Sequence, residues 1–213
     1  MYHHQSTINK IKQIVKKTLI HESTGHGYWH CHRVAKSTLL IGKKEKANLK
    51  ILELSAWLHD IAVPKGRNNH HLTGAKQAEK ILTSLNVPKN IINQVKNCIL
   101  KHRYSKQYQL NTIEEKIIQD ADNLDALGAT IIPRIFAHCG VHKIPIYDPN
   151  IKPSAKQYLK TGRSTTGINH IYEKLLKIPN TLHTNTAKRI AKHRIKFLKT
   201  FLKQYLAEFK GKK

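Results

Sequence analysis

The stretch Ile51-Leu52-Glu53-Leu54-Ser55-Ala56-Trp57-Leu58-His59-Asp60-Ile61 decides the fold. Its apolar side chains at 51, 52, 54, 56, 57, 58 and 61 cover nearly the whole circumference of a helix, without the two-residue alternation of a strand. A helix with no face for water belongs in the middle of a bundle. We place it from near Asn48 to before Pro64, and the three- and four-residue spacing continues on both sides. Upstream, a helix is predicted over 5–20 and another over 26–41, the latter capped by Ser23 or Thr24. Downstream, helices are predicted over 70–85, after Pro88 with a stripe of Ile91, Val95, Cys98 and Ile99, and over 113–126, with a short one at Pro133. Amphipathic helices return over 168–178 and 184–209. The expected architecture is all-α, a single domain over 1–213 with its motif core at about 20–130. Pro145, Pro149, Pro153, Gly162 and Gly167 break up the stretch 140–167, which is expected to be a functional loop or lid.

Among the 213 residues, 39% are hydrophobic, too many for a disordered chain, and a single core can account for the length. Lys plus Arg number 38 against 13 Asp plus Glu, a net charge of +25 with neutral His. The excess is spread along the chain and only seven of these cations are Arg, a pattern of a solvated surface more than of base readout. A phosphate-bearing partner, nucleotide or polynucleotide, fits the remainder of that reading. The three cysteines, Cys31, Cys98 and Cys139, are too far apart for a disulfide framework or a paired metal knuckle, so a reducing cytoplasm is expected. No apolar run has the length of a signal core or a membrane span.

Two polar residues, His59 and Asp60, close the apolar helix, and burying them is costly unless they are paired or bound to a metal. His26, His30 and Arg33 share one face of the preceding helix by their spacing. Three of only five Asp lie in Asp120-Ala121-Asp122-Asn123-Leu124-Asp125. Imidazoles and carboxylates without cysteine suit Mn, Fe, Co, Ni or Mg, with open positions for water, better than a closed structural zinc site. On the helix over 113–126, Asp125 lies on the apolar stripe of Ile117, Ala121 and Leu124, with Asp122 at its margin. His102 extends the stripe of the helix before it, either as a core histidine or as a site residue. Lys65, Arg67 and Lys174 are candidates for holding phosphate, against a solvated alternative. His70 and His71 stand in a polar segment, where capping or exposure is expected.

These segments together resemble the HD-domain metal-dependent phosphohydrolases. Gly25-His26-Gly27-Tyr28-Trp29-His30-Cys31-His32-Arg33-Val34 is similar to that family's opening histidine segment, and Ala56-Trp57-Leu58-His59-Asp60-Ile61 to its His-Asp segment. Asp120 through Ala129 is similar to its distal aspartate segment, and the likeness continues through Tyr147-Asp148-Pro149, Asn169 to Leu176, and Lys188 to Arg194. The resemblance implies His30, His59, Asp60 and Asp122 as ligands of a divalent metal; Asp125, on the apolar stripe, is a candidate supporting partner. His26, Asp60 and His102 are the candidate catalytic residues, and the resemblance implies a small phosphate ester, a nucleotide, as substrate. His26 is otherwise a residue that helps begin its helix. The implied reaction is hydrolysis of a phosphate or pyrophosphate bond by a metal-activated water. The alternative from another class is a basic helical nucleic-acid-binding protein whose metal is structural.

Overall fold

A computed structural model describes residues 2–66 and 69–212. Arg67 lies outside the described residues, as does the side chain of Lys65. Every regular element among the described residues is helical, so the all-α expectation holds. The chain divides into two compact units, 1–123 and 124–213.

The first unit is built around α3 (Leu49–Leu58), whose Ile51, Leu52, Leu54, Ala56, Trp57 and Leu58 are all buried. Asn48 starts it, its side-chain oxygen accepting the amides of Lys50 and Ile51 at 3.1 and 3.4 Å. Around α3 pack α1 (His4–Leu19), α2 (Tyr28–Lys44) and α5 (Lys89–Lys101), with α4 (His70–Ser84) lying against α5. The helix α6 (Ile113–Asp125) runs through the boundary at residue 123.

Two helix ends differ from the sequence reading. The second helix starts at Tyr28 behind Gly27, which caps it with no side chain, so neither Ser23 nor Thr24 is the cap and His26 precedes the helix. Glu22 takes the capping part in the turn instead: its carboxylate accepts the amides of Thr24 at 3.0 Å and His26 at 2.6 Å, and the Thr24 hydroxyl. A carboxylate has two oxygens and a charge, so it outcompetes a hydroxyl for several amides. The third helix stops at Leu58, short of the expected end before Pro64. Pro64 cannot donate to the carbonyl four residues back and its ring disfavours helical backbone before it, so the chain leaves α3 at His59 and re-forms only a short 3-10 turn at Val63–Lys65.

In the second unit, α7 (Ile131–Val141) packs on α9 (Gly167–Glu173), followed by a 3-10 segment (Leu175–Thr181) and the long α10 (Asn185–Phe209). A Cβ at Gly167 would stand 3.0 Å from Cys139 Sγ and 3.2 Å from Ile135 and Phe136, so the absent side chain lets these helices approach. The stretch expected as an open loop, 140–167, carries a helix of its own, α8 (Ala155–Thr161), with Ser154 capping its start and Gly162 in the left-handed region ending it. None of its side chains is buried, so no apolar stripe reported it.

Candidate metal centre

Five elements of the first unit bring His26, His30, His59, Asp60, His70, His102 and Asp122 together. His30 faces inward from α2, His59 and Asp60 stand at the break after α3, and His70 opens α4. His102 follows the last turn of α5, and Asp122 projects from α6. Asp60 is 3% exposed and each of its oxygens meets a different group. Oδ2 lies 3.1 Å from His26 Nδ1, 3.5 Å from His30 Nε2 and 3.6 Å from His59 Nε2. Oδ1 lies 3.2 Å from His70 Nε2 and 3.6 Å from His102 Nε2. Asp122 Oδ1 approaches His30 and His59 at 3.3 and 3.9 Å.

The His59 tautomer follows from its surroundings: Nδ1 donates to the Ala56 carbonyl at 2.8 Å, so the neutral ring presents a lone pair at Nε2. His102 repeats the device, donating from Nδ1 to Ile99 at 2.7 Å. Each of these nitrogens faces another imidazole nitrogen, His59 against His30 at 3.1 Å and His102 against His70 at 3.2 Å. The His30 and His59 nitrogens with Asp60 Oδ2 and Asp122 Oδ1 beside them are a cation's donor set, while His70 and His102 meet at Asp60 Oδ1.

The spacing fits a first-row ion. Metal–ligand bonds of about 2.1 Å put neighbouring donors about 3.0 Å apart at right angles and about 3.4 Å apart in a tetrahedron. The contacts among His30, His59, Asp60 and Asp122 run from 3.1 to 3.9 Å. His30–His59–Asp122, His26–His30–Asp60 and Asp60–His70–His102 each place three donor atoms within 4.8 Å of one another.

Electrostatics follow from the same contacts. Burial works against ionising Asp60, but the His59 imidazole beside it and hydrogen bonds from His102, His26 and His30 hold its carboxyl well below the usual range. Asp122 is likewise held low: burial opposes its charge and the His30 hydrogen bond and the imidazole charges outweigh it. For His59 burial wins and the imidazolium is disfavoured. For His102 burial is outweighed by its hydrogen bond to Asp60 and the charges of Asp60 and Asp122, and its pKa is raised.

The structure places His26, His30, His59, Asp60, His102 and Asp122, all candidates of the sequence reading, within one cluster. It adds His70, expected to be capping or exposed but 6% exposed and turned toward Asp60, and buries His71 against the Tyr108 hydroxyl at 3.1 Å. A histidine on the first residue of a helix belongs to no stripe that periodicity can report. Asp125 accepts Arg134 Nη1 at 2.7 Å, an ion pair within the second unit. Lys174 also belongs to the second unit, between α9 and the 3-10 segment.

A helical bundle that closes a histidine, a His-Asp pair and a distal aspartate on one interior point is the arrangement of the HD domain, and the HD-domain model matches residues 27–127. The chain belongs to this family: over 206 residues it is 30% identical to the uncharacterized protein YpgQ of Bacillus subtilis strain 168, across 95% of this chain and 93% of the relative. The crystal structure of an HD-superfamily hydrolase from Bacillus thuringiensis is 33% identical, with a TM-score of 0.77 and coverage of 98% of this chain and 99% of that one. The crystal structure of B. subtilis YpgQ in complex with ADP is 28% identical, with a TM-score of 0.74 and coverage of 94% and 96%.

Proposed function

We propose that the protein is a cytoplasmic metal-dependent phosphohydrolase that cleaves a phosphate or pyrophosphate bond of a nucleotide. The observation that carries this reading is Asp60, a buried carboxylate flanked by imidazoles on both oxygens. His30, His59, Asp60 and Asp122 hold the cation, because that set supplies two negative charges and two imidazoles. A divalent ion there lowers the pKa of a bound water and polarises a phosphoryl oxygen. His70 and His102 meet Asp60 through its other oxygen, Oδ1, and are assigned as donors to phosphate oxygens, with His102 Nε2 and His26 as the groups that move a proton. The Glu22 carboxylate fixes the His26 backbone and so sets where that ring stands. Lys65, Arg67 and Lys174 are the proposed contacts to further phosphates. The ADP complex of YpgQ supports a nucleotide, and the HD-superfamily relatives support hydrolysis.

Metal analysis followed by a nucleotide screen with product identification tests the reading. We expect about one divalent transition ion per chain and turnover that chelation abolishes and that same ion restores. Full turnover after exhaustive chelation would overturn it. Neutralising Lys65, Arg67 or Lys174 should lower kcat/KM for a triphosphate more than for a monophosphate; an unchanged ratio in all three removes them from the site.

A further inference from the structure

From Lys174 to Ala207 the chain contains no Asp or Glu, and most of that stretch is α10. Lys188, Arg189, Lys192, Lys196, Lys199 and Lys203 are all exposed. At about 100° per residue they fall within an arc of about 100°, and from Lys188 to Lys203 they run for about 22 Å. The only acid on the helix, Glu208, accepts the Gln204 side-chain amide at 2.6 Å. Three lysines elsewhere are met by acids, Lys89 and Lys96 by Glu79 and Lys101 by Glu115. Among the described residues no carboxylate forms an ion pair with any of these six exposed cations.

This arrangement costs the helix something. Lys188–Lys192, Lys192–Lys196 and Lys199–Lys203 are like charges four apart, and Arg189–Lys192 and Lys196–Lys199 three apart, each a local repulsion of a few tenths of a kcal/mol. Local choices that oppose the fold without internal compensation mark positions under another demand. A row of positive charge along a straight rod matches a linear polyanion.

We propose that the exposed face of α10 binds the phosphate backbone of a polynucleotide, without sequence preference, as a function separate from the metal centre. The chemistry on the face selects that partner. Five of the six cations are Lys, point charges that meet phosphates rather than the forked donors that read base edges. No aromatic lies in the arc for bases to stack on; the exposed Phe197 is on another side of the helix. The apolar side of α10, with Ala187, Ala191, Leu198 and Leu202, is buried in the protein, so the helix has no apolar face to sink into a lipid surface.

Binding of the full chain to a mixed-sequence DNA duplex and to a single-stranded RNA, by fluorescence anisotropy at several salt concentrations, tests this. With all six cations engaged, the log–log salt slope on duplex is about −5, and affinity falls about a thousandfold between 50 and 200 mM salt. The triple variant Lys192→Glu, Lys196→Glu, Lys199→Glu should flatten that slope by about 3. Lys10→Glu, Lys36→Glu, Lys50→Glu, exposed positions on α1, α2 and α3 with the same change in net charge, should leave the slope near −5. Should the reversal unfold α10, seen as a lost thermal transition, Lys→Gln at the same three sites replaces it. Equal weakening by both triples, or capture by phosphatidylserine vesicles but not by nucleic acid, overturns the proposal. Metal-dependent nucleotide hydrolysis unchanged in the α10 variant separates this outcome from the fate of the metal-centre reading.

Discussion

At the residue scale, Asp60 joins the two halves of the cluster. Its Oδ2 belongs with His30 and His59 and its Oδ1 with His70 and His102, so one carboxylate orients four imidazoles. Truncating it removes an anionic ligand and the partner of both halves. We expect Asp60→Ala to lose its metal, read by elemental analysis of the purified protein, and turnover with it. His70→Ala is the complementary case: it should retain about one ion per chain while kcat falls by about 10²-fold or more, the scale of a lost proton donor or phosphate contact. Loss of the ion in His70→Ala would place that residue among the ligands instead.

At the scale of elements, the cluster exists because helices end where they do. His59 and His102 each follow the last turn of a helix and tie Nδ1 to a carbonyl three residues back, which points Nε2 into the cluster. Glu22 does the corresponding service before α2 by gathering the amides of Thr24 and His26. Glu22→Ala should therefore leave the metal content unchanged and lower kcat/KM about tenfold, about 1.4 kcal/mol, as the His26 ring loses its fixed position. Asn48→Ala tests an element end remote from the chemistry. Losing the cap of α3 should cost about 1 kcal/mol in denaturant unfolding, with the ion retained.

For the whole molecule, His170 contributes one separable part of the response to acid. His170 on α9 meets the Ser164 hydroxyl at 3.0 Å, and burial, then the charges of Lys174 and His138, push its pKa down to about 3. In the unfolded chain it titrates at the ordinary value of about 6.5. Above that pH the ring is neutral in both states and contributes nothing. Between about 6.5 and about 3 the unfolded state binds the extra proton, so stability falls as pH falls, by roughly 2 kcal/mol at pH 5. His170→Gln should reduce the drop in Tm between pH 7 and pH 5 by about 4–8 °C relative to the unsubstituted protein. An unchanged drop would show that the ring is protonated in the fold. The chain's +25 charge adds self-repulsion that salt relieves, so the comparison is made at fixed ionic strength.

The amino-acid sequence alone determined the helical class, because three- and four-residue periodicity is a property of each segment and survives without its neighbours. It also marked His59 and Asp60, since polar residues at the end of an apolar helix are costly wherever that helix goes, and put His26 and His30 on one face by their spacing. Asp122 was legible only through family resemblance: its own helix placed Asp125 on the buried stripe, and the structure gives that residue to Arg134. His70 was decided by tertiary structure alone: it stands at the first residue of its helix, where no periodicity reports direction, and packing brings Asp60 to it. Glu22 binds amides two and four residues on, a turn contact that carries no periodic signal. The helix α8 escaped for a related reason, as seven residues with none buried carry no stripe. Periodicity records which side of a segment avoids water; which two segments share one interior point is set by packing between them.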